Sequence, residues 1–339
     1  MTHHAIPPPA VPPKSDRDRA SAIHAERVQN ATTEHYDLHS RTHASSLPST
    51  QQPEFDVGLE RLEAENAETM SADKSFIARD RENCPILAYF PKVLDPTTVD
   101  ATYSALDKYV TATPFKNSPD SEPPENYKPD QRHPFDPNLV LSFGDRLGIR
   151  HCGMWLSTGH SNEAPFVSHD VIRTATFLRA TATLFQHLRL LTVELSILFC
   201  ALDCRAWSAA RLFVAALKYF HPEFDSCSGG IFECWAHRAL LFNLDTHAHR
   251  DLRDDRNGYA AIAVFGSFTG GEFVVPQLKV KFPFQPGDII FIKGQMLHHF
   301  VTPWKGKEGK GERFCITHFT HQGLIDFVGR EVSGQTVEQ

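Results

Sequence analysis

The sequence predicts an α+β protein in which an antiparallel β-sandwich or barrel packs against helices that precede it in the chain. Two observations predict this fold class. After residue 230, turn signals such as NG, GG and PGD separate short β-rich runs: RALLFNLD, YAAIAVFG, EFVVP, DIIFIKG and RFCITHFT. Before it, residues 171–220 carry apolar residues at spacings of three and four and contain neither Gly nor Pro, which is typical of helices. Helices flanking an antiparallel sheet complete the fold.

Four regions follow from composition. Residues 1–56 are rich in Pro, Ser, Thr and His without a sustained apolar period, so we expect a disordered polar tail. Residues 57–230 are predicted to be a mainly helical support region with a Pro-rich loop near 114–137, and Asp95 before Pro96 is expected to open one of its helices. Residues 231–330 are predicted to form the β core, and residues 331–339 a short tail.

Charge and cysteine usage restrict the class of protein. The formal net charge of -7 gives no basic field of the kind that binds nucleic acid, and the seven cysteines show no CxxC pair, which favours a reducing compartment. The N-terminus lacks the apolar segment of a signal peptide. The most apolar run, residues 190–202, is too short for a membrane span and contains Glu194, so it is predicted to be a buried helix. We therefore expect an intracellular soluble protein without a membrane partner or an obligate protein partner.

The segment THAHRD predicts a metal site. On a strand, His249 and Asp251 project to the same side because side chains alternate between faces. A later predicted strand supplies a third ligand from His298 or His299, and only one of this pair can face inward. Two histidines and one carboxylate leave open positions on one side of an iron, as in non-haem Fe(II) oxygenases, whereas a closed structural zinc site would need four protein ligands.

The last β-rich run, RFCITHFTH, predicts an anion anchor. Its odd positions share one face, with Arg313 at one end and His321 at the other. An arginine directed into a barrel interior needs a partner for its charge, and a small carboxylate held by two hydrogen bonds fits best. A metal site and a carboxylate anchor are therefore predicted in the same β region.

These segments resemble the TET/JBP family of 2-oxoglutarate- and Fe(II)-dependent dioxygenases that oxidise bases in nucleic acid, and its compact fungal members most. The resemblance covers residues 232–322 and is carried by HRDLRDDRNG, GSFTGGEFVVPQLKVKFPFQPGDIIFIKG, HFVTPW and GERFCITHFTH. It implies a double-stranded β-helix, a jelly-roll relative, buttressed by the N-terminal helices. The cofactors it implies are Fe(II), 2-oxoglutarate and O2.

The same resemblance implies roles for single residues. Iron would be held by His249, Asp251 and His299, since family members show a His, two further residues and then Thr-Pro, as in HFVTP. Arg313 matches the arginine that binds the far carboxylate of 2-oxoglutarate, and His321 matches a histidine that contacts the target base. The implied reaction is oxidation of the methyl group of a modified base in DNA, which has to be flipped out of the duplex. A nuclear location would follow from such a substrate.

One departure from the family bears on the choice of base. Animal TET enzymes carry an asparagine where this chain has Asp254. A carboxylate accepts hydrogen bonds, so it suits the exocyclic amine of cytosine or adenine and not thymine. We therefore favour 5-methylcytosine, with N6-methyladenine as a second candidate. The competing interpretation is that Asp254 caps the turn DDRNG, in which Asn257 is placed to shape the pocket.

Two other functions compete. The same barrel and ligand set serve 2-oxoglutarate-dependent hydroxylases of proteins, RNA and small molecules, and the near-neutral β region favours this alternative. A non-catalytic jelly-roll binding module is the second alternative, against which the intact ligand set argues. A structural zinc at Cys227, Cys234 and His237 is conceivable from composition, but these residues are better interpreted as core or surface positions.

Overall fold

The computed structural model describes residues 14–38, 57–116, 142–157, 163–309 and 311–334. Its helices are α1 (Lys14–Gln29), α2 (Val57–Asn66), α3 (Pro96–Ala112), α4 (His169–Ile172), α5 (Ala175–His187), α6 (Arg189–Leu202), α7 (Cys204–Phe220) and α8 (Gln322–Val332). Its strands are β1 (Thr32–His35), β2 (Glu68–Thr69), β3 (Phe76–Arg79), β4 (Pro85–Phe90), β5 (Gly148–Trp155), β6 (Phe166–Val167), β7 (His237–Phe242), β8 (Ala260–Gly266), β9 (Phe268–Gly270), β10 (Phe273–Val275), β11 (Val280–Phe282), β12 (Ile289–Ile292), β13 (Phe300–Val301), β14 (Trp304–Gly306) and β15 (Arg313–Phe319).

Two sheets face each other across the β region. Within the described residues, the larger sheet runs in the order β1-β3-β4-β12-β8-β15-β7-β5-β6, and the smaller one in the order β13-β10-β11-β2. Strands β12, β8, β15 and β7 pair antiparallel to their neighbours. The predicted α+β fold class is confirmed.

The alternation along β15 explains how the sheet separates two cores. Cys315 and Phe319 point into the apolar cluster between the two sheets, together with Phe273 of the smaller sheet. Phe314 and Ile316 point the other way, into the cluster shared with the helices. Because a strand sends successive side chains to opposite faces, one short apolar segment stabilises both interfaces.

The helices cover the outer face of the larger sheet and begin where the sequence places caps. Asp95 accepts a hydrogen bond from the backbone N–H of Thr97 at the start of α3, as predicted, and Asp203 does the same for Ala206 in α7. Helix α6 buries most of its apolar residues against the sheet. Among the described residues, no single helix is long and apolar enough to cross a membrane, and α5 and α6 reach that length only as a pair bent by 52°.

The N-terminal region differs from the predicted disordered tail. Residues 14–38 contain α1, which packs on α6, and β1, which adds a parallel edge strand to β3. The low mean hydropathy of α1 hid this helix from the sequence analysis, because its packing depends on few apolar positions such as Val28. Residues 1–13 and 39–56 of the predicted tail lie outside the described residues.

The region 57–230 also contributes strands, although a mainly helical support region was predicted. Strands β3, β4, β5 and β6 all belong to the larger sheet. All six residues of β4 are buried, since one face meets the helices and the other meets the inter-sheet core. Such a strand shows no alternation of apolar and polar residues, which is why its sequence gave no β signal. Most of the predicted Pro-rich loop, residues 117–141, and the tail beyond Gly334 lie outside the described residues.

The imidazole of His24 in α1 makes the stability of the fold sensitive to pH. This side chain is buried, and burial, followed by the charge of Arg27, lowers its pKa from 6.5 to about 4. The unfolded chain therefore binds a proton below pH 6.5 that the folded protein does not accept. The free energy of unfolding is therefore highest above pH 6.5. It falls as the pH decreases, because the unfolded chain binds a proton at His24 that the folded protein does not bind.

We expect His24→Leu to make the protein less sensitive to acid. Between pH 7 and pH 5 the wild type should lose about 2 kcal/mol of unfolding free energy through His24, and the variant should not lose this part. Urea unfolding at both pH values measures the difference, with the exposed His35→Leu as the matched control. An equal loss in wild type and His24→Leu would contradict the assignment.

Candidate metal and carboxylate site

The HxD segment lies at the open edge between the two sheets. Residues 245–251 form a loop and not the regular strand that was predicted, but His249 is joined to His299 by an isolated antiparallel bridge. The His249 N–H donates to the His299 carbonyl at 3.2 Å, and the His299 N–H donates back at 3.0 Å. This bridge sets the two imidazoles side by side, with ring centroids 4.3 Å apart.

Asp251 completes a group of three ligand atoms. Its Oδ1 lies 3.7 Å from Nε2 of His249, and its Oδ2 lies 3.6 Å from Nε2 of His299. Ligand atoms of the three residues all lie within 4.8 Å of one another, and no other such group occurs among the residues that the structure describes. Two imidazole nitrogens and one carboxylate on a single side match the donor set that Fe(II) takes in oxygenases. The residues therefore fit a resident iron.

Backbone contacts orient these ligands. Nδ1 of His249 lies 2.6 Å from the carbonyl of His247, and Nδ1 of His299 lies 3.1 Å from that of Leu297. A proton on each Nδ1 leaves the Nε2 lone pair free for a metal ion. Gly294 lets the carboxylate approach, because a Cβ at this position would lie 2.7 Å from Oδ2 of Asp251.

The structure also separates the paired histidines. His299 joins the ligand group, whereas His298 points elsewhere and its Nδ1 lies 2.5 Å from the amide nitrogen of Gln277. Burial, then the charges of Arg250 and His299, lower the pKa of His298 to about 4. Of the two neighbouring histidines, it is therefore His299 whose side chain lies in the cluster of possible ligands.

Arg313 lies buried at the start of β15. Its backbone N–H donates to Oδ1 of Asn243 at 2.9 Å, and its guanidinium carbon lies 5.4 Å from the ring centroid of Phe268. Nε and Nη2 are buried and have no hydrogen-bond partner among the described residues. Burial lowers its pKa, but a guanidinium remains charged at neutral pH. A buried cation with free donors is costly, so this position is suited to an incoming carboxylate.

His321 and Asp254 meet through a second bridge at the far end of β15. The two residues form an isolated antiparallel bridge, and Nε2 of His321 lies 4.0 Å from Oδ1 of Asp254. The turn that follows is capped by Asp255, which accepts the N–H of Asn257 at 2.9 Å. Asp255 thus contributes a cap to the turn in which Asp254 was considered for this role.

Asn257 lies apart from this pair. Its side chain is exposed in the turn, and it lines, together with Asp254, a cavity of about 190 Å³ that extends to Phe199 of α6 and to Trp235 before β7. The structure therefore places Asn257 in a cavity that Asp254 also lines and that does not include His321 among its lining residues.

Sequence reasoning missed two residues at this end of the site. Trp155, at the end of β5, and His237, at the start of β7, both pack against the imidazole of His321, with centroid separations of 4.9 and 4.5 Å. His237 had been weighed only as a zinc ligand, but Cys234 Sγ instead contacts Ser196 Oγ and Cys227 Sγ donates to the Phe224 carbonyl. No local sequence pattern links β5 to β15, since the sheet order creates this contact.

Comparisons with known proteins agree with this geometry. Residues 239–322 match the family model Tet_JBP, the oxygenase domain of the 2OGFeDO superfamily. Among solved structures, the chain is similar to NgTET1 in complex with 5mC DNA, with 14% sequence identity, a TM-score of 0.55 and coverage of 92% of each chain. No curated protein sequence matches the chain. The structural likeness supports a shared fold, and the family model gives the class of chemistry.

Proposed function

We propose that the chain, whose residues 239–322 match the oxygenase domain of the TET/JBP family, is a 2-oxoglutarate- and Fe(II)-dependent dioxygenase that oxidises the methyl group of a modified base in DNA. The observation that carries the substrate proposal is the pairing of His321 with Asp254 beside the ligand group, on a fold shared with a TET protein bound to 5mC DNA. We place the enzyme in the nucleus on the same ground.

Each residue of the site has a defined task in this proposal. His249, Asp251 and His299 hold Fe(II), which when bound supplies the activation of O2 that is coupled to the oxidation of 2-oxoglutarate to succinate and CO2. Arg313 binds the far carboxylate of 2-oxoglutarate. The unpartnered Nε and Nη2 of its guanidinium support this role, because two parallel hydrogen bonds to a carboxylate would satisfy both.

The residues around the base determine which base is accepted. An ionised Asp254 accepts a hydrogen bond from an exocyclic amine, so cytosine and adenine fit and thymine does not. Asp254 is buried and His321 is partly buried, so a base stacked within a duplex cannot reach them and has to flip out of the helix first. We favour 5-methylcytosine and keep N6-methyladenine as second candidate. Asn257 is assigned to the rim of this pocket on the basis of its place in the turn.

One observation favours a second substrate class. The formal net charge of -7 does not attract phosphate, which suits a hydroxylase of a protein or a small molecule. The iron ligands and Arg313 would act in the same way on such a substrate, so only the substrate assay separates the two functions.

We expect the purified protein with Fe(II), ascorbate and 2-oxoglutarate to convert 5-methylcytosine in DNA to its hydroxymethyl form. Parallel reactions use DNA that contains N6-methyladenine or only unmodified bases, and mass spectrometry identifies the nucleosides. Product from a methylated base and not from unmodified DNA supports the proposal. Succinate release without product on any DNA would reject the DNA substrate and favour the RNA, protein or small-molecule class.

A further inference from the structure

An aromatic cluster surrounds the imidazole of His321. Trp155 meets His321 edge-on with an interplanar angle of 86° and meets His237 at a centroid distance of 4.6 Å. His237 in turn stacks on Phe319 at 5.2 Å and 16°. Three strands that are distant in sequence, β5, β7 and β15, thus place these rings around the histidine assigned to the target base.

Two hydrogen-bond donors in this cluster have no acceptor. Nε1 of Trp155 is buried and has no partner among the described residues, and the same holds for Nε2 of His237. Burial, then His321, hold the pKa of His237 well below 6.5, so its ring is neutral at pH 7. Its Nδ1 accepts the N–H of His321 at 3.4 Å, which places the ring proton on Nε2.

Buried N–H donors that have no acceptor indicate a site where a ligand supplies the acceptor. A buried N–H without an acceptor loses its hydrogen bonds to water and gains nothing in return, so native proteins rarely keep one unless a substrate or an ordered water supplies the acceptor. Trp235, a buried tryptophan of the cluster shared with the helices, has such an acceptor, since its Nε1 donates to the Tyr259 carbonyl at 2.8 Å. Trp155 lacks such a contact and lies against His321.

The pattern of donors and acceptors matches one class of base. Asp254 offers an acceptor whose Oδ1 lies 4.0 Å from Nε2 of His321, while Trp155 and His237 contact the same imidazole and each carry a donor without a partner among the described residues. The Watson–Crick edge of cytosine presents an amine donor and then two acceptors, N3 and O2, whereas thymine presents a carbonyl, an N–H and a carbonyl. A site that pairs one acceptor with neighbouring donors complements the cytosine edge.

We propose that Trp155 is a specificity-determining residue, whose indole N–H donates a hydrogen bond to the acceptor edge of the flipped base while Asp254 accepts from its amine. This inference rests on the proposed function. It extends that function because it assigns the hydrogen bond to the acceptor atoms of the base to a tryptophan of β5. His237 supports the arrangement by holding the backbone of His321 and by closing the cluster against Phe319.

Trp155→Phe tests the inference, since phenylalanine keeps a smaller aromatic ring at this position and removes the indole N–H donor. Fluorescence anisotropy of labelled duplexes that differ in one central base, 5-methylcytosine, N6-methyladenine or thymine, measures the preference of the protein for an amino-bearing base. We expect the wild type to prefer 5-methylcytosine over thymine and Trp155→Phe to lose about tenfold of that preference, while its affinity for the thymine duplex stays unchanged.

Trp207→Phe is the matched control. This change also removes an indole N–H, but one that donates to Ser196 Oγ at 2.9 Å within the helices. The control should keep the wild-type preference, and circular dichroism checks that all three proteins are folded. A Trp155→Phe protein with the full wild-type preference would overturn the inference and leave the proposed function in place. A wild type that does not distinguish the duplexes would overturn the proposed function and the inference with it.

Discussion

Replacing His299 by alanine is expected to abolish iron binding and to reduce turnover by roughly a thousandfold or more. His299 is one of only two imidazoles in the ligand group, and its Nε2 lies 3.6 Å from the carboxylate of Asp251. Its loss leaves two donors, which do not hold Fe(II) against water. Metal analysis after gel filtration and release of succinate from 2-oxoglutarate measure the two effects separately.

The neighbouring residue provides the control for this experiment. His298→Ala removes an imidazole from the same segment, but this ring contacts Gln277 and does not face the ligand group. We expect His298→Ala to retain iron and turnover. If His298→Ala lost the iron and His299→Ala kept it, the assignment of the third ligand would be wrong.

Arg313→Met is expected to raise the KM for 2-oxoglutarate by about a hundredfold or more, because it removes charge-assisted hydrogen bonds in a buried site. Methionine keeps most of the side-chain volume beside Phe268. Since Nε and Nη2 of Arg313 have no partner among the described residues, the free energy of unfolding should not fall and may be compared directly in urea. Steady-state kinetics with varied 2-oxoglutarate gives the KM.

A cosubstrate that lacks the far carboxylate serves as the control. It shows whether Arg313→Met has lost the recognition of that carboxylate or has damaged the site in general. With 2-oxohexanoate, whose tail is apolar, the wild type should perform far worse than with 2-oxoglutarate, since its buried guanidinium stays unpaired. Arg313→Met should accept the two acids about equally well. A variant that still prefers 2-oxoglutarate strongly would show that another residue binds the carboxylate.

The sequence was sufficient for those parts of the site that depend on local spacing. The alternation of side chains along β15 accounts for Arg313, whereas His249 and Asp251 come together in a loop, held by the bridge to His299, and not on the predicted strand. The choice of His299 over His298 needed the family resemblance, since alternation only states that one of two neighbours faces inward. The structure then gave the reason, which is the bridge between His249 and His299.

Other parts depend on contacts between distant segments and were missed. β4 shows no alternation because both of its faces are buried, and α1 is too polar to predict from periodicity. The approach of Trp155 to His321 follows from the order β15-β7-β5 in the sheet. Strand order is a property of the whole chain, and a single sequence does not reveal it.

The bridge between His249 and His299 affects how the enzyme gains and loses its metal ion. Two of the three ligands are held together by mutual backbone hydrogen bonds that do not require a metal ion. The ion therefore enters a site that is already assembled, and little ordering entropy opposes its binding. We therefore expect that removal of the ion by a chelator leaves the fold intact and that the emptied site can bind iron again.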